Sequence, residues 1–228
     1  MGPEETLDTM AASLAAGATV LELDVHLTAD GIPVLLHDAT VDRTTDGTGA
    51  VVDLTFDQIQ ALDAGNGARI PHLAEPLRAF PDTPFILELK GDHPDLVDVV
   101  VSVLRDEDAL SRVILASFWA DRLERVRQID EAPATGLATS EVVDWLWHEE
   151  DPTYRPPAAF AQVPPEVGGY ELATTERIDR ARELGLTVQV WTINDPDQAR
   201  RLAERGVSGI LTDNPAEISV AVSSARSR

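Results

Sequence analysis

The sequence predicts an α/β protein of the (β/α)8 TIM-barrel type, with its first strand missing at the N-terminus. Three observations lead there. Short β-rich runs alternate with amphipathic helical stretches, with no linker or low-complexity segment between them, and that order builds a parallel sheet with crossover helices. The length of 228 residues suits a single α/β barrel domain spanning 1–228, since such barrels run to about 200–250 residues. The apolar runs supply seven parallel strands where a closed barrel needs eight, and the chain opens on a helix.

That helix is expected over residues 3–16. Leu7, Met10, Ala11, Leu14 and Ala15 follow the i, i+3, i+4, i+7 spacing of one face, with Pro3 near the start and Gly17 just past the end. Val20–Leu27 reads as a strand, Ala29-Asp30-Gly31 as a turn, and Ile32–Leu36 as the returning strand of a hairpin. Phe85–Leu89, Val113–Ala116, Gly136–Thr139, Phe160–Val163, Thr187–Thr192 and Gly209–Thr212 are short apolar runs suited to buried strands. Helices are expected over Pro94–Arg105, Asp121–Ile129 and Thr175–Leu184, the last stopped by Gly185. Asp195-Pro196 opens another, as a cap followed by proline at the first helical position, and Gly206 closes it.

Composition excludes several classes of function. With 18 basic and 40 acidic residues the formal net charge is −22, which repels phosphate backbones and anionic membrane surfaces, so no nucleic-acid partner is expected. No apolar run approaches the roughly 18 residues of a membrane span. With no cysteine, disulfides and thiolate chemistry are excluded, and any metal must be held by oxygen or imidazole. Lys90 is the single lysine against seventeen arginines, which reads either as codon bias or as a compact ammonium kept for a purpose.

The ionisable residues then fall into a pattern. Glu22, Asp24 and His26 lie at i, i+2, i+4 and share one face of a strand. Paired carboxylates at this spacing suit a hard divalent cation, magnesium or calcium, because two anionic oxygens can reach one ion. Glu88 and Lys90 repeat the spacing on the strand that begins Phe85-Ile86-Leu87. A single such pair reads best as a solvent-facing salt-bridge partner. Two pairs at the C-terminal ends of parallel strands point to a site, since barrel active sites are built on that rim. If the hairpin turn centres near Asp30, residues summing to about 60 lie opposite each other, which sets His37 beside Leu23 and its neighbours Glu22 and Asp24. Carboxylates favour an imidazole's protonated form, so His37 is a candidate general acid.

Other features are weaker. Asp42, Thr44, Asp46, Gly47 and Asp53 resemble a calcium-loop spacing, but strand-like residues flank them where an EF-hand needs two helices. Trp191 and Asn194 close a strand at the same rim, where the tryptophan suits either packing or a wall against a small polyol. Trp145 and Trp147 are expected to pack, and His72, His93 and His148 to lie on the surface.

Taken together, these residues resemble the signature of the glycerophosphodiester phosphodiesterase family. The resemblance rests on Gly17-Ala18, on residues 21–31 (Leu-Glu-Leu-Asp-Val-His-Leu-Thr-Ala-Asp-Gly), on Pro33 to Asp38 and on residues 42–49. It continues through Ile70-Pro71-His72-Leu73, Leu87-Glu88-Leu89-Lys90, Ser117-Phe118, Val190 to Asn194 and Leu211 to Pro215. It implies a TIM barrel with a small hairpin and loop insertion after His37-Asp38, and divalent-cation-dependent hydrolysis of glycerophosphodiesters to glycerol 3-phosphate and an alcohol. Carried over by position, Glu22, Asp24 and Glu88 would be metal ligands, His37 one of two catalytic histidines, and Lys90, with Trp191, would meet the substrate.

One departure qualifies this. The family's other catalytic histidine stands in a His-Arg-Gly on the first strand, about ten residues before a Pro-Glu-Asn-Thr motif. Here Pro3-Glu4-Glu5-Thr6 matches the latter, and no His-Arg-Gly is present. Two explanations follow: a natural chain that starts further upstream, or a degenerate member that binds glycerophosphate without catalysis. A lyase forming a cyclic phosphate is a further option on the same fold. The missing strand also predicts an open sheet edge and association into a homodimer. The expected location is cytoplasmic, unless an N-terminal signal has been lost.

Overall fold

In the computed structural model, residues 2–226 are described. Helix α1 (Leu7–Ala15) leads into β1 (Leu21–Leu27), which turns back as β2 (Pro33–Leu35). An insertion follows, holding a 3₁₀ turn (Val51–Asp53), α2 (Phe56–Gln60) and α3 (Ala74–Ala79). The chain then alternates: β3 (Phe85–Leu89), α4 (Leu96–Asp106), β4 (Val113–Ala116), α5 (Ala120–Arg127), β5 (Ala134–Thr135), α6 (Thr139–His148) and β6 (Phe160–Val163). A small hairpin, β7 (Glu166–Val167) and β8 (Tyr170–Glu171), precedes α7 (Thr175–Glu183), β9 (Thr187–Val190), α8 (Pro196–Arg205), β10 (Gly209–Ile210) and α9 (Pro215–Arg226).

Seven of these strands are parallel and run in the order β1-β3-β4-β5, then β6-β9-β10, with a parallel bridge between Gly136 and Phe160 joining the two sheets. This is the barrel-like arrangement and the strand count expected. Among the described residues no parallel strand lies between β10 and β1; β2 pairs with Val25–Leu27 on that side, and the half of β1 before it is left as a seam. Helix α9 meets the other side of it: Ser219 packs against Gly17, where a Cβ would stand 3.0 Å from its hydroxyl and φ is +103°. Glycine is required at that turn on both counts.

Alternation along the strands decides what faces inward. Leu21, Leu23, Val25 and Leu27 of β1, with Phe85, Leu87 and Leu89 of β3, join one buried cluster with α4 residues such as Val100 and Leu104. The residues between them, Glu22, Asp24, Glu88 and then Lys90, therefore face the barrel interior and its rim. A second core gathers β6 and β9 with α7 and α8, through Val163, Val190, Ile178 and Leu202. A third lies in the insertion, around Val41, Val51, Ile59 and Ile70.

Local signals set several boundaries. Asp195 caps α8 by accepting the Gln198 N–H (2.6 Å), and Gly206 ends it at φ +94°. The hairpin register pairs Val25 with Leu35, His26 with Val34 and Leu27 with Pro33, each summing to 60 as expected. The strand expected over Gly136–Thr139 is displaced to Ala134–Thr135. Glu141 accepts the Ala138 N–H (2.9 Å) and starts α6 at Thr139, while Arg127 holds the Gly136 carbonyl (2.9 Å). A helix cap thus takes residues whose apolar character suited a strand.

Two expectations about single residues are corrected. Trp147 does not pack: it is 82% exposed, whereas Trp145 two residues earlier is fully buried. Only one of two residues at i, i+2 on a helix can face the core. His72 is half-buried rather than on the surface. It bridges to Val34, accepts the Ala74 N–H (2.9 Å) and meets Phe56 edge-on, and burial lowers its pKa. The calcium-like loop spends its carboxylates on backbone: Asp42 accepts the Gly49 N–H and Asp46 the Asp63 N–H.

Candidate active site

The parallel register of β1 and β3 sets Asp24 directly beside Glu88. Glu22, two residues earlier on the same face, completes a triad in which one oxygen from each carboxylate lies within 4.8 Å of the other two. Three carboxylates so close repel. Desolvation, then Asp24 and Glu88, push the Glu22 pKa up to about 8, and burial pushes Asp24 up to about 6 against the pull of Lys90. The repulsion and the all-oxygen donor set fit a hard divalent cation.

Lys90 supplies the charge already present. Its Nζ stands 2.9 Å from Glu88 Oε1 and 3.2 Å from Asp24 Oδ1. Burial works against its charged form, but Asp24 and Glu88 outweigh it and hold the pKa above the usual value. The backbone fixes its place, since the Lys90 N–H donates to the Val25 carbonyl (2.9 Å).

His37 follows β2 on the neighbouring hairpin, where the Leu36 N–H donates to the Asp24 carbonyl (3.0 Å). Its Nδ1 lies 2.8 Å from Asp38 Oδ1, which leaves Nε2 for a proton. Asp38 is held in turn by Arg43, whose Nε donates to Oδ2 (2.6 Å). Arg43 and then His37 keep the Asp38 carboxyl well below the usual range. Arg43 reaches on to Glu4, its Nη1 donating at 2.9 Å, so the segment before α1 is tied to the histidine's support.

Aromatic rings wall the other side. Phe118, after β4, lies 5.9 Å from Lys90 Nζ at its ring centroid and 6.1 Å from Trp191, edge to face. Asn194 bonds Asp213 (2.7 Å) and Thr212 (2.9 Å), and the charge of Asp213 adds to the upward push on Glu22.

The structure thus brings Glu22, Asp24, Glu88, Lys90 and His37 to one rim, with Trp191 behind Phe118. His26 shares the face but is buried, and burial lowers its pKa to about 4. Sequence reasoning missed Glu5. Its carboxyl accepts the backbone N–H of Asp24 and lies at the seam beside Glu22, with Oε2 buried and unpartnered. Burial, then Asp24 and Glu22, raise its pKa well above normal. The available signal was its place in Pro3-Glu4-Glu5-Thr6, where an acid stands in the position of an asparagine. The Asp38–Arg43–Glu4 chain was missed as well, because it joins residues up to 39 apart in sequence.

A barrel whose C-terminal rim combines a carboxylate triad, a lysine and a carboxylate-oriented histidine is the kind of enzyme site that suits metal-assisted chemistry on an anionic substrate. Residues 2–217 match the model of the glycerophosphoryl diester phosphodiesterase family. A glycerophosphodiester phosphodiesterase of Caldanaerobacter subterraneus subsp. tengcongensis is 30% identical, covering 93% of this chain and 89% of the relative. Among solved structures, an Oleispira antarctica phosphodiesterase in complex with the product sn-glycerol-3-phosphate matches with a TM-score of 0.80 at 25% identity, covering 97% of this chain and 92% of that one. A glycerophosphodiester phosphodiesterase from Agrobacterium tumefaciens str. C58 matches at 0.78 and 25%, covering 100% and 95%. The chain belongs to the glycerophosphoryl diester phosphodiesterase family.

Proposed function

We propose that this protein hydrolyses glycerophosphodiesters to glycerol 3-phosphate and an alcohol, with a divalent cation held by Glu22, Asp24 and Glu88. The observation that carries this reading is the in-register pair Asp24–Glu88, with Glu22 and Lys90 two residues to either side on one face. Magnesium or calcium suits three carboxylate ligands. When bound, the cation supplies Lewis-acid neutralisation of charge on the phosphoryl oxygens.

The chain's own residues do the rest. Lys90, drawn toward the triad, presents a compact positive charge to the phosphate. As a water oxygen bonds to phosphorus and the bond to the alcohol oxygen breaks, His37, its Nδ1 fixed on Asp38, gives its Nε2 proton to that departing oxygen, and the attacking water's proton leaves to solvent. Trp191 and Phe118 form an apolar wall that orients the glycerol moiety and excludes water.

A second reading, a glycerophosphate-binding protein without turnover, is favoured by one observation. Among the described residues His37 is the one exposed histidine beside the triad, and His26 is buried and neutral in this setting. With one acid–base group in place of two, turnover should be slow by about 10²–10⁴-fold relative to a two-histidine site. The test is release of glycerol 3-phosphate from glycerophosphocholine, with and without added imidazole. Release that imidazole accelerates supports the hydrolase with one acid–base group absent; no release under either condition supports the binding protein. Accumulation of cyclic phosphate would point to a lyase. The first half of β1, which β2 does not cover on its outer side, supports association into a homodimer, which sedimentation tests.

A further inference from the structure

The loop from β4 into α5 carries two neighbouring aromatic residues, Phe118 and Trp119, each 49% exposed. Phe118 belongs to the wall already described. Trp119 does not, and it comes with a cation of its own: the guanidinium carbon of Arg122 lies 4.2 Å from the ring centroid. Arg122 Nη1 donates to the Leu89 carbonyl (3.0 Å), which belongs to the peptide link between Leu89 and Lys90. The pair therefore stands at the end of the strand that carries two of the site's residues.

Arg112 shows what a structural arginine looks like in this fold. It too stacks on a ring, Phe85 at 5.2 Å, but three carbonyls hold its guanidinium, those of Leu77, Phe80 and Thr83. Arg122 has one carbonyl, and among the described residues no carboxylate pairs with it; Asp121, Asp92 and Glu88 act on it only at longer range. The guanidinium fork has five donors. A half-buried, stacked fork with most of its donors uncommitted, beside an exposed indole, is a ready partner for hydroxyl oxygens with C–H faces between them.

We propose that Trp119 and Arg122 form the subsite for the alcohol half of the substrate, and that they select a polyhydroxylated alcohol over a quaternary ammonium one. The assignment rests on the hydrolase reading above. The indole offers a flat apolar platform to the carbon skeleton of a polyol, and the guanidinium donates to its hydroxyls. A trimethylammonium group is disfavoured for a definite reason. Exposed aromatics bind such cations through the ring face, but here Arg122 already occupies a face of Trp119.

The experiment compares kcat/KM for glycerophosphoinositol and glycerophosphocholine in the wild type, Arg122→Gln, Arg122→Lys and Trp119→Leu, with folding followed by thermal unfolding. The wild type should prefer the inositol diester, and Arg122→Gln and Trp119→Leu should each cut that preference about tenfold, through KM for the inositol diester. Arg122→Lys, which keeps the charge but loses the fork, should fall between. If Arg122→Gln fails to fold, because the buried Leu89 carbonyl is left with only the Ser117 hydroxyl as donor, Trp119→Leu at an exposed position gives the same readout. A preference unchanged within about twofold overturns the subsite. If the wild type releases glycerol 3-phosphate from neither diester, the hydrolase reading fails, and calorimetric binding of the two intact diesters decides the subsite alone. Tighter binding of the inositol diester that is lost in Trp119→Leu supports it, and equal binding refutes it.

Discussion

Replacing Asp38 by asparagine tests how His37 is held. The His37 side chain is 58% exposed and Asp38 30%, so the 2.8 Å contact to Asp38 Oδ1 is the restraint on the ring. Without it the imidazole samples about six rotameric states, of which one is productive, a loss of about 1.1 kcal/mol. An exposed charged pair adds about 0.2–1 kcal/mol. Together these make about 1.3–2.1 kcal/mol, or a fall in kcat of about 10- to 35-fold, with KM little changed. Of the two bonds Arg43 makes to Asp38 oxygens, asparagine can accept only one, its amide nitrogen being a donor, so thermal stability should fall only slightly at this exposed pair. The assay is initial-rate release of glycerol 3-phosphate at saturating cation. Activity within about twofold of the wild type would show that Asp38 does not orient a catalytic His37.

Three further outcomes are expected. Glu22→Gln should weaken divalent-cation binding by about tenfold or more in calorimetric titration, and equal affinity in both proteins would remove Glu22 from the site. In chelator, thermal stability should fall as pH rises from about 6.5 to about 8: Glu22 moves from 4.5 to about 8 on folding, so the folded state binds more protons across that interval, which lies above the ranges where Asp24 and His26 act. Added magnesium or calcium should abolish the fall, and a rise with pH in chelator would contradict the repulsion inferred for the triad. Trp145→Ala, at a fully buried position, should cost about 3–5 kcal/mol by denaturant unfolding, whereas Trp147→Ala on the same helix should stay within about 0.5 kcal/mol.

Much of this was legible because strand alternation carries two messages at once. The apolar positions of Leu21-Glu22-Leu23-Asp24-Val25 mark the packed face, and the acidic ones can then only face the barrel interior. The hairpin register followed from one turn, since antiparallel partners sum to a constant. What stayed hidden depends on contacts that no local pattern records. The β7–β8 hairpin has two residues per strand and exposed Val167 and Tyr170, too short for a periodicity. Arg43 finds Glu4 only once the insertion folds back over the start of the chain. Glu5 reads as one more surface acid in a chain with 40 acidic residues, and only the seam beside β1 makes it half-buried, with Oε2 shut away from solvent.

The central claim is that the carboxylate triad holds the cation that turnover requires. The most direct measurement is glycerol 3-phosphate release by protein stripped with chelator and then titrated with magnesium or calcium, in the wild type and in Glu88→Gln. The account predicts no release from the stripped wild type, recovery on titration, and a Glu88→Gln titration shifted to at least about tenfold higher cation. Undiminished release from the stripped protein, or superimposable titrations of the two proteins, would contradict it.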